Sequence, residues 1–202
     1  MKLFYSPGAC SLSPHIVLRE AGLPFTLERV DFKTKKTEKG TDYWTINSKG
    51  AVPALQLDDG RVLTEGPAVV QYLADQKPEA GLAPSLGSFE RYRLMEILNY
   101  ITSELHKSFG PLFNPGISPD WKAATLANLD KKFQWLAEHL GNKPYLLGDA
   151  FSVADAYLFT VLRWSPHVGI DLAKYPGLTA YLARVGQRPK VQEALKAEGL
   201  KP

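Results

Sequence analysis

Cysteine is nearly absent from the sequence, since Cys10 is the only one among 202 residues. One cysteine cannot close a disulfide within the chain, which excludes a small secreted fold held together by disulfides. The first residues also lack the long apolar region and the small-residue cleavage site of a secretory signal. We therefore expect a protein of the reducing cytoplasm.

Long hydrophobic runs and a strong excess of one charge are absent as well. The longest apolar stretches fall far short of the ~20 residues that a membrane-spanning helix needs. The formal net charge is only +3, and no arginine-rich tract is interleaved with aromatic residues. We expect no membrane, nucleic acid or metal as a partner, whereas a small acidic ligand is compatible with this charge.

The composition that is present, 45% apolar and 22% charged, supports a sizeable core in one domain or two small ones. Residues 1–80 alternate between strand and helix patterns, and residues 81–87 form a linker rich in Pro, Gly and Ser. Residues 88–202 follow only the helical period of three to four. The sequence therefore predicts an α/β domain followed by an all-helical domain.

The first domain has the predicted order β-α-β, then β-β-α, which fits a sheet layered with helices. The Asp59-Gly60 pair between two β-rich segments indicates a tight hairpin. "KTKKTEKG" is predicted as a polar loop and "DYWTIN" as a short irregular helix. The predicted strands and helices are Lys2–Tyr5, Ser11–Gly22, Phe25–Phe32, Val52–Leu57, Val62–Glu65 and Gly66–Gln76.

The second domain is predicted to contain helices at about 88–109, 119–140, 152–165, 175–187 and 189–198. The stretch "SVAD" matches a capping box, in which Ser152 caps the helix and Asp155 reaches back to it. The helix that it opens is apolar on nearly every side and so belongs in the core. We interpret Asp155 as a structural residue rather than a catalytic one.

Cys10 follows a predicted strand and lies in a Gly-containing turn just before a predicted helix. The positive end of a helix lowers the pKa of a thiol and leaves it partly exposed, as in a reactive cysteine. An isolated cysteine can equally pack as a small hydrophobe. Position alone leaves both interpretations open.

Two further junctions can present backbone to a ligand. Pro53 lies where a strand needs a backbone donor, so it either begins the strand in the trans form or has a cis bond that turns Val52 outward. Glu65 and Gly66 lie at a strand-to-helix junction, where free N–H groups bind anions. Glu65 can serve as a helix cap or accept an amine there.

Polar residues on one broad helical face, and a cluster of lysines, are weaker candidates. Asn99, Ser103 and His106 are spaced by three or four residues within "LNYITSELHKSFGPLF". A solvated helix face has the same appearance. Lys35 belongs to a basic loop that is either simply solvated or supplies a cation to a ligand carboxylate.

Together these stretches resemble the bacterial beta-class glutathione S-transferases over nearly the whole chain. The resemblance rests on "MKLFYSPGACSLSPHIVLREAG", "DYWTINSKGAVPALQLDDGRVLTEGPAVVQYLAD", "LNYITSELHKSFGPLF" and "SVADAYLFTVLRW". It implies an N-terminal thioredoxin-like domain, a C-terminal helical domain that contributes the electrophile pocket, and a homodimer. The implied co-substrate is glutathione, with one site in each subunit and no metal.

The resemblance also assigns roles to residues. Cys10 would face the sulfur of glutathione, with His106 as a second catalytic residue that holds the sulfur or the glycine end. Lys35 would meet the glycine carboxylate, and the Val52 backbone, ahead of a cis Pro53, would pair with the cysteinyl part. Residues that would hold the γ-glutamyl end or complete the site, partly from the other subunit, are Glu65, Gly66, Asn99, Ser103 and Glu104. The electrophile pocket would be lined by Phe109, Phe113, Trp164 and His167.

One departure concerns the γ-glutamyl end. Many family members have serine after the acidic residue, whereas this sequence has Gly66 followed by Pro67. A hydroxyl and one N–H donor are therefore missing, and the γ-glutamyl carboxylate must rely on the Gly66 N–H and on helix polarity.

The function implied is conjugation of glutathione to small hydrophobic electrophiles, a detoxification reaction. Because Cys10 can also form a mixed disulfide with glutathione, a thiol transferase or reductive dehalogenase is an alternative. A non-catalytic ligand-binding protein on the same fold is a third possibility, because fold does not fix function.

Overall fold

The computed structural model describes residues 1–201, which divide into two compact units. Unit 1 comprises Met1–Ala83 together with the C-terminal segment from Gly186 onward, and unit 2 comprises Pro84–Val185.

Unit 1 contains a five-stranded sheet, whose strands are β1 (Lys2–Tyr5), β2 (Thr26–Asp31), β3 (Lys36–Thr37), β4 (Ala54–Gln56) and β5 (Val62–Thr64). The strand order across the sheet is β3-β2-β1-β4-β5. Strands β1 and β2 are parallel, and each of the other neighbouring pairs is antiparallel. The hairpin predicted at Asp59-Gly60 joins β4 to β5.

Helix α1 (Leu12–Glu20) connects β1 to β2, and α2 (Gly66–Asp75) follows β5. The predicted order β-α-β, then β-β-α, is confirmed. Strand β3 was not expected, because it lies in the segment predicted as a polar loop. It forms because Val30 pairs with Thr37, and Thr37 is buried despite its polar neighbours.

Unit 2 is helical. Its first predicted helix changes its winding, since α3 (Phe89–Tyr100) continues into a π-helical stretch at Ile101–His106 and then into the short α4 (Lys107–Phe109). Ser88 caps α3, because its hydroxyl accepts the Arg91 N–H at 3.1 Å. The remaining α-helices of the unit are α5 (Pro119–Leu140), α6 (Val153–Leu162) and α7 (Pro176–Gly186).

Helix α6 forms the centre of unit 2, because every residue from Val153 to Leu162 is buried. At its start, the Asp155 carboxylate accepts the Ser152 N–H at 2.9 Å and the Ser152 hydroxyl at 2.8 Å. The same carboxylate also accepts the Leu146 N–H and the Tyr181 hydroxyl, both at 2.9 Å. Ser152 and Asp155 thus form a capping box that joins three segments of the unit.

The last helix, α8 (Pro189–Ala197), was assigned from the sequence to the helical domain, and the structure corrects this assignment. Helix α8 packs on α1 in unit 1. The contact is fixed by Arg188, whose guanidinium reaches both oxygens of Glu20 at 2.7 and 2.8 Å.

Within residues 1–201, no helix has the combination of length and hydropathy that crossing a membrane requires.

Candidate active site

Cys10 lies in the turn between β1 and α1, and α1 begins two residues later at Leu12. Ser11 occupies the capping position without capping through its side chain. Its hydroxyl instead exchanges hydrogen bonds with the Ser6 backbone, accepting at 3.1 Å and donating at 3.2 Å. Ser11 therefore stabilises the turn that presents Cys10.

The Cys10 thiol donates to the Val52 carbonyl at 3.1 Å. Cys10 is half-buried, and desolvation raises the pKa of its thiol to about 12, although the N–H groups of Cys10 and Ser11 act in the opposite direction. The nearby Glu65 carboxylate raises that pKa further. Of the two interpretations that position left open, the raised pKa favours a protonated, packed thiol, because desolvation outweighs the favourable helix end.

Val52 and Pro53 are buried and joined by a cis peptide bond. The preceding carbonyl, that of Ala51, accepts the Tyr43 hydroxyl at 2.9 Å and the Asn47 amide at 2.7 Å. These two bonds fix the chain just before Val52. Of the two alternatives that the sequence left open at Pro53, the structure contains the cis form.

Glu65 and Gly66 lie where β5 meets α2, and Glu65 has a positive φ of 71°. The Glu65 carboxylate is paired with the Lys49 ammonium, which also donates to the Thr64 hydroxyl at 2.7 Å. Since α2 begins at Gly66, the first N–H groups of this helix have no intrahelical acceptor. Pro67 removes one of these donors.

Lys35 lies in the loop before β3, again with a positive φ, here 54°. Its ammonium donates to the Gly50 carbonyl at 2.8 Å. Unit 1 thus contains Cys10, Lys35, Val52, Pro53, Glu65 and Gly66, and within it Cys10 contacts Val52 directly.

Unit 2 contains the other predicted site residues. His106 ends the π-helical stretch, with its Nδ1 atom 2.6 Å from the Tyr157 hydroxyl and its ring 4.8 Å from that of Trp164. Phe109 and Phe113 pack edge-on against the same Trp164 ring, at 5.7 and 5.9 Å between centroids. Aromatic rings thus surround Trp164 on several sides.

These aromatic residues differ in accessibility. Phe113 and His167 are exposed, whereas Phe109 is fully buried. We therefore correct the expected role of Phe109, which supports Trp164 from within the core rather than lining an open pocket. The His167 ring makes no contact with an aromatic ring among residues 1–201.

Asn99, Ser103 and Glu104 belong to α3 and the π-helical stretch. The Ser103 hydroxyl donates to the Asn99 carbonyl at 3.0 Å, and both residues are exposed. Glu104 is paired with Lys132, whose hydrogen bond lowers the pKa of the Glu104 carboxyl. Its carboxylate is therefore held in its charged form.

Sequence reasoning missed several partners of these residues, namely Trp44 beside Lys35, Lys49 beside Glu65, Lys132 beside Glu104 and Tyr157 beside His106. Each meets its partner only through the fold. Lys49 is 16 residues from Glu65, and Tyr157 is 51 residues from His106. No local spacing rule covers such separations. Among the described residues, no group of three or more His, Cys, Asp or Glu side chains is arranged to hold a metal ion.

Comparison with known proteins agrees with the fold and the order of the motifs. Residues 8–76 match "Glutathione S-transferase, N-terminal domain", and residues 119–184 match "Glutathione S-transferase, C-terminal domain". The chain is 51% identical over 201 residues to glutathione S-transferase GstA from Escherichia coli O157:H7, with full coverage of both chains.

Solved structures agree with this match. The chain is similar to BphK, a bacterial GST solved as a ternary complex, at 62% identity and a TM-score of 0.98, covering 99% of this chain and all of that one. It is similar to a sphingomonad glutathione S-transferase complexed with glutathione, at 52% identity and a TM-score of 0.96. A bacterial beta-class enzyme from Sphingomonas chungbukensis has 53% identity and a TM-score of 0.96. Each of the last two comparisons covers both chains completely.

These matches confirm the thioredoxin-like N-terminal domain, the helical C-terminal domain and the resemblance to the bacterial beta class. This chain belongs to the glutathione S-transferase family.

Proposed function

We propose that this protein transfers the thiolate of glutathione to small hydrophobic electrophiles in the cytoplasm, as a detoxification reaction. The observation that carries the proposal is the contact between the Cys10 thiol and the Val52 carbonyl at 3.1 Å. This contact places a sulfur-facing group beside a backbone segment that can pair with the cysteinyl part of a peptide. Family membership supports glutathione as that peptide.

Unit 1 supplies most of the groups for glutathione. The Val52 backbone would hold the cysteinyl residue, and Lys35 would take the glycine carboxylate. The γ-glutamyl carboxylate would lie at the start of α2, where the Gly66 N–H and the helix polarity favour an anion. Glu65 would accept the γ-glutamyl amine while its carboxylate stays paired with Lys49.

The family resemblance also implies roles for residues of unit 2. His106 would hold the sulfur or the glycine end of glutathione. Asn99, Ser103 and Glu104 would complete the site, partly for the partner subunit of a homodimer. The dimer is supported by a patch of exposed apolar side chains at the start of α3, consisting of Leu86, Phe89 and Tyr92. Sedimentation at micromolar concentration tests this part, and a monomer would contradict it.

The electrophile would bind against Trp164, Phe113 and His167, with Phe109 as support. In the reaction, the thiolate attacks an electrophilic carbon, a carbon–sulfur bond forms, and the leaving group departs as an anion. The thiol proton passes to water. No oxidant or reductant is consumed.

Acidifying the glutathione thiol contributes little by itself. Lowering its pKa from about 8.5 to about 6.5 raises the thiolate fraction at neutral pH about 25-fold. The lower basicity costs about six- to tenfold in nucleophilicity, so the net gain is only a few fold. Most of the acceleration must therefore come from holding the two substrates together.

Cys10 acts as a hydrogen-bond donor in this proposal. With a pKa raised to about 12, its thiol stays protonated at neutral pH. On binding, its single proton would turn from the Val52 carbonyl to the glutathione thiolate. The alternative, a mixed disulfide formed by Cys10, needs a Cys10 thiolate as the nucleophile. The raised pKa disfavours that route.

The test is turnover by the purified protein with glutathione and 1-chloro-2,4-dinitrobenzene, followed through release of chloride and formation of the thioether. Conjugation above the spontaneous rate is expected. Retention on immobilised glutathione without turnover of any electrophile in a broad panel would instead indicate a binding protein. Turnover only of disulfide substrates would indicate a thiol transferase.

A further inference from the structure

Lys35 is held from three directions. Its ammonium donates to the Gly50 carbonyl at 2.8 Å. It also lies 5.3 Å from the centroid of the Phe32 ring and 5.8 Å from that of Trp44. Both distances are within the range of a cation–π interaction.

The Trp44 ring packs against Gly50 at a distance that only glycine allows. A Cβ atom built on Gly50 would lie 2.5 Å from the Trp44 ring, closer than real side chains approach. Gly50 also has a φ of +60°, which favours glycine. Gly50 thus has two roles: it lets the Trp44 ring approach, and its carbonyl accepts a hydrogen bond from the Lys35 ammonium.

Phe32 and Trp44 are not part of the hydrophobic core. Phe32 is 46% exposed and Trp44 is 49% exposed. The backbone nevertheless fixes this region, because the Tyr43 N–H donates to the Lys35 carbonyl at 2.8 Å. This bond ties the segment that carries Trp44 to the residue that carries the cation.

The Lys35 ammonium has N–H groups that remain available to a ligand. It has three N–H groups, of which the Gly50 carbonyl takes one. The ring faces stabilise the positive charge without offering an oxygen acceptor. Within residues 1–201 no carboxylate pairs with Lys35, whereas Lys49 and Lys132 are each paired with a glutamate. The carboxylate of a ligand can therefore pair with the Lys35 ammonium, which is fixed in position and has further N–H groups to donate.

We propose that Phe32 and Trp44 are positioning residues that hold the Lys35 ammonium ready for the glycine carboxylate of glutathione, an inference that rests on the proposed function. The rings reduce the side-chain freedom that a lysine otherwise loses on binding. They act on affinity for one end of the peptide. They do not act on the chemistry at sulfur.

The first measurement is steady-state kinetics of Trp44→Ala with saturating electrophile. We expect the KM for glutathione to rise about two- to fivefold, which corresponds to one cation–π contact, while kcat stays unchanged. Trp44→Phe retains a ring face and should restore much of the loss. Trp121→Ala removes an exposed tryptophan in unit 2 and serves as the control, with no change expected.

The second measurement uses the monoethyl ester of glutathione at the glycine carboxylate. With this ester, wild type and Trp44→Ala should have the same KM, because the group that Lys35 recognises is missing. In a Lys35→Ala background, Trp44→Ala should have no further effect on the KM for glutathione. Such non-additivity is the signature of two residues that act through one contact.

Several results would overturn the inference. An equal rise in KM for glutathione and for its ester would show that Trp44 supports the fold generally. Additive effects of Trp44→Ala and Lys35→Ala would show that the ring does not act through the ammonium. A wild-type protein without glutathione turnover would refute the proposed function, whereas a working enzyme with an unchanged Trp44→Ala KM would refute only the positioning role.

Discussion

Glu198 should be one of the residues on which the stability of unit 1 depends most. It follows α8, and its Oε1 atom lies 2.8 Å from Nδ1 of His15 on α1. Its Oε2 atom accepts the Gly8 N–H at 2.9 Å, in the turn that leads to Cys10. Neither the Glu198 side chain nor the His15 side chain is exposed to solvent.

Replacing Glu198 with alanine removes both acceptors at once. Each donor or acceptor left buried without a partner costs about 1–3 kcal/mol, and breaking a buried pair costs about 3–5 kcal/mol. For a chain of this size, each kcal/mol shifts the melting temperature by about 2–4 °C. We therefore expect Glu198→Ala to lower the Tm by about 10 °C, whereas Glu198→Gln, which keeps one oxygen acceptor, should lower it less.

Differential scanning fluorimetry at fixed protein concentration measures this effect. The matched control is Glu193→Ala within α8, which removes exposed ion pairs with Arg19 and Lys190. Exposed pairs contribute little, so its Tm should stay within about 2 °C of wild type. Equal melting temperatures for Glu198→Ala and Glu193→Ala would refute the account of this contact.

Three further predictions concern Gly66, Cys10 and Asp155. A Cβ at Gly66 meets no atom within 4 Å, so Gly66→Ser should fold normally and lower the KM for glutathione about threefold through its hydroxyl, whereas Gly66→Ala should leave it unchanged. Because burial raises the Cys10 pKa to about 12, iodoacetamide at pH 8 should alkylate the folded protein about 50-fold more slowly than free glutathione; equal rates, followed by mass spectrometry, would contradict this. Asp155 accepts four hydrogen bonds, so Asp155→Ala should cost about 3 kcal/mol in urea unfolding, and the same midpoint as for the exposed Asp149→Ala would argue against that role.

Features determined by neighbouring residues could be predicted from the sequence. The capping box lies within the four residues from Ser152 to Asp155, and the hairpin at Asp59-Gly60 depends on a local turn preference. The alternation of apolar residues was sufficient to order most of the strands and helices. The division into two kinds of domain followed from the Pro, Gly and Ser content of residues 81–87 and from the helical period that begins at residue 88.

Features determined by distant residues could not be predicted. Strand β3 depends on its pairing with β2, and α8 belongs to unit 1 because of its packing on α1. The Cys10 pKa shows the same limit, because helix position is a local signal whereas desolvation depends on the whole surrounding fold. The contact between Lys35 and the Trp44 ring likewise joins two separate segments, one before β3 and one after it.

The central claim is that glutathione, and not Cys10, provides the reacting sulfur. Its most direct test is the kcat/KM of Cys10→Ala for transfer of glutathione to 1-chloro-2,4-dinitrobenzene. Losing one hydrogen-bond donor to the thiolate should lower kcat/KM by about tenfold, so that turnover stays well above the spontaneous rate. Activity reduced to the spontaneous rate would contradict the account and identify Cys10 as the nucleophile.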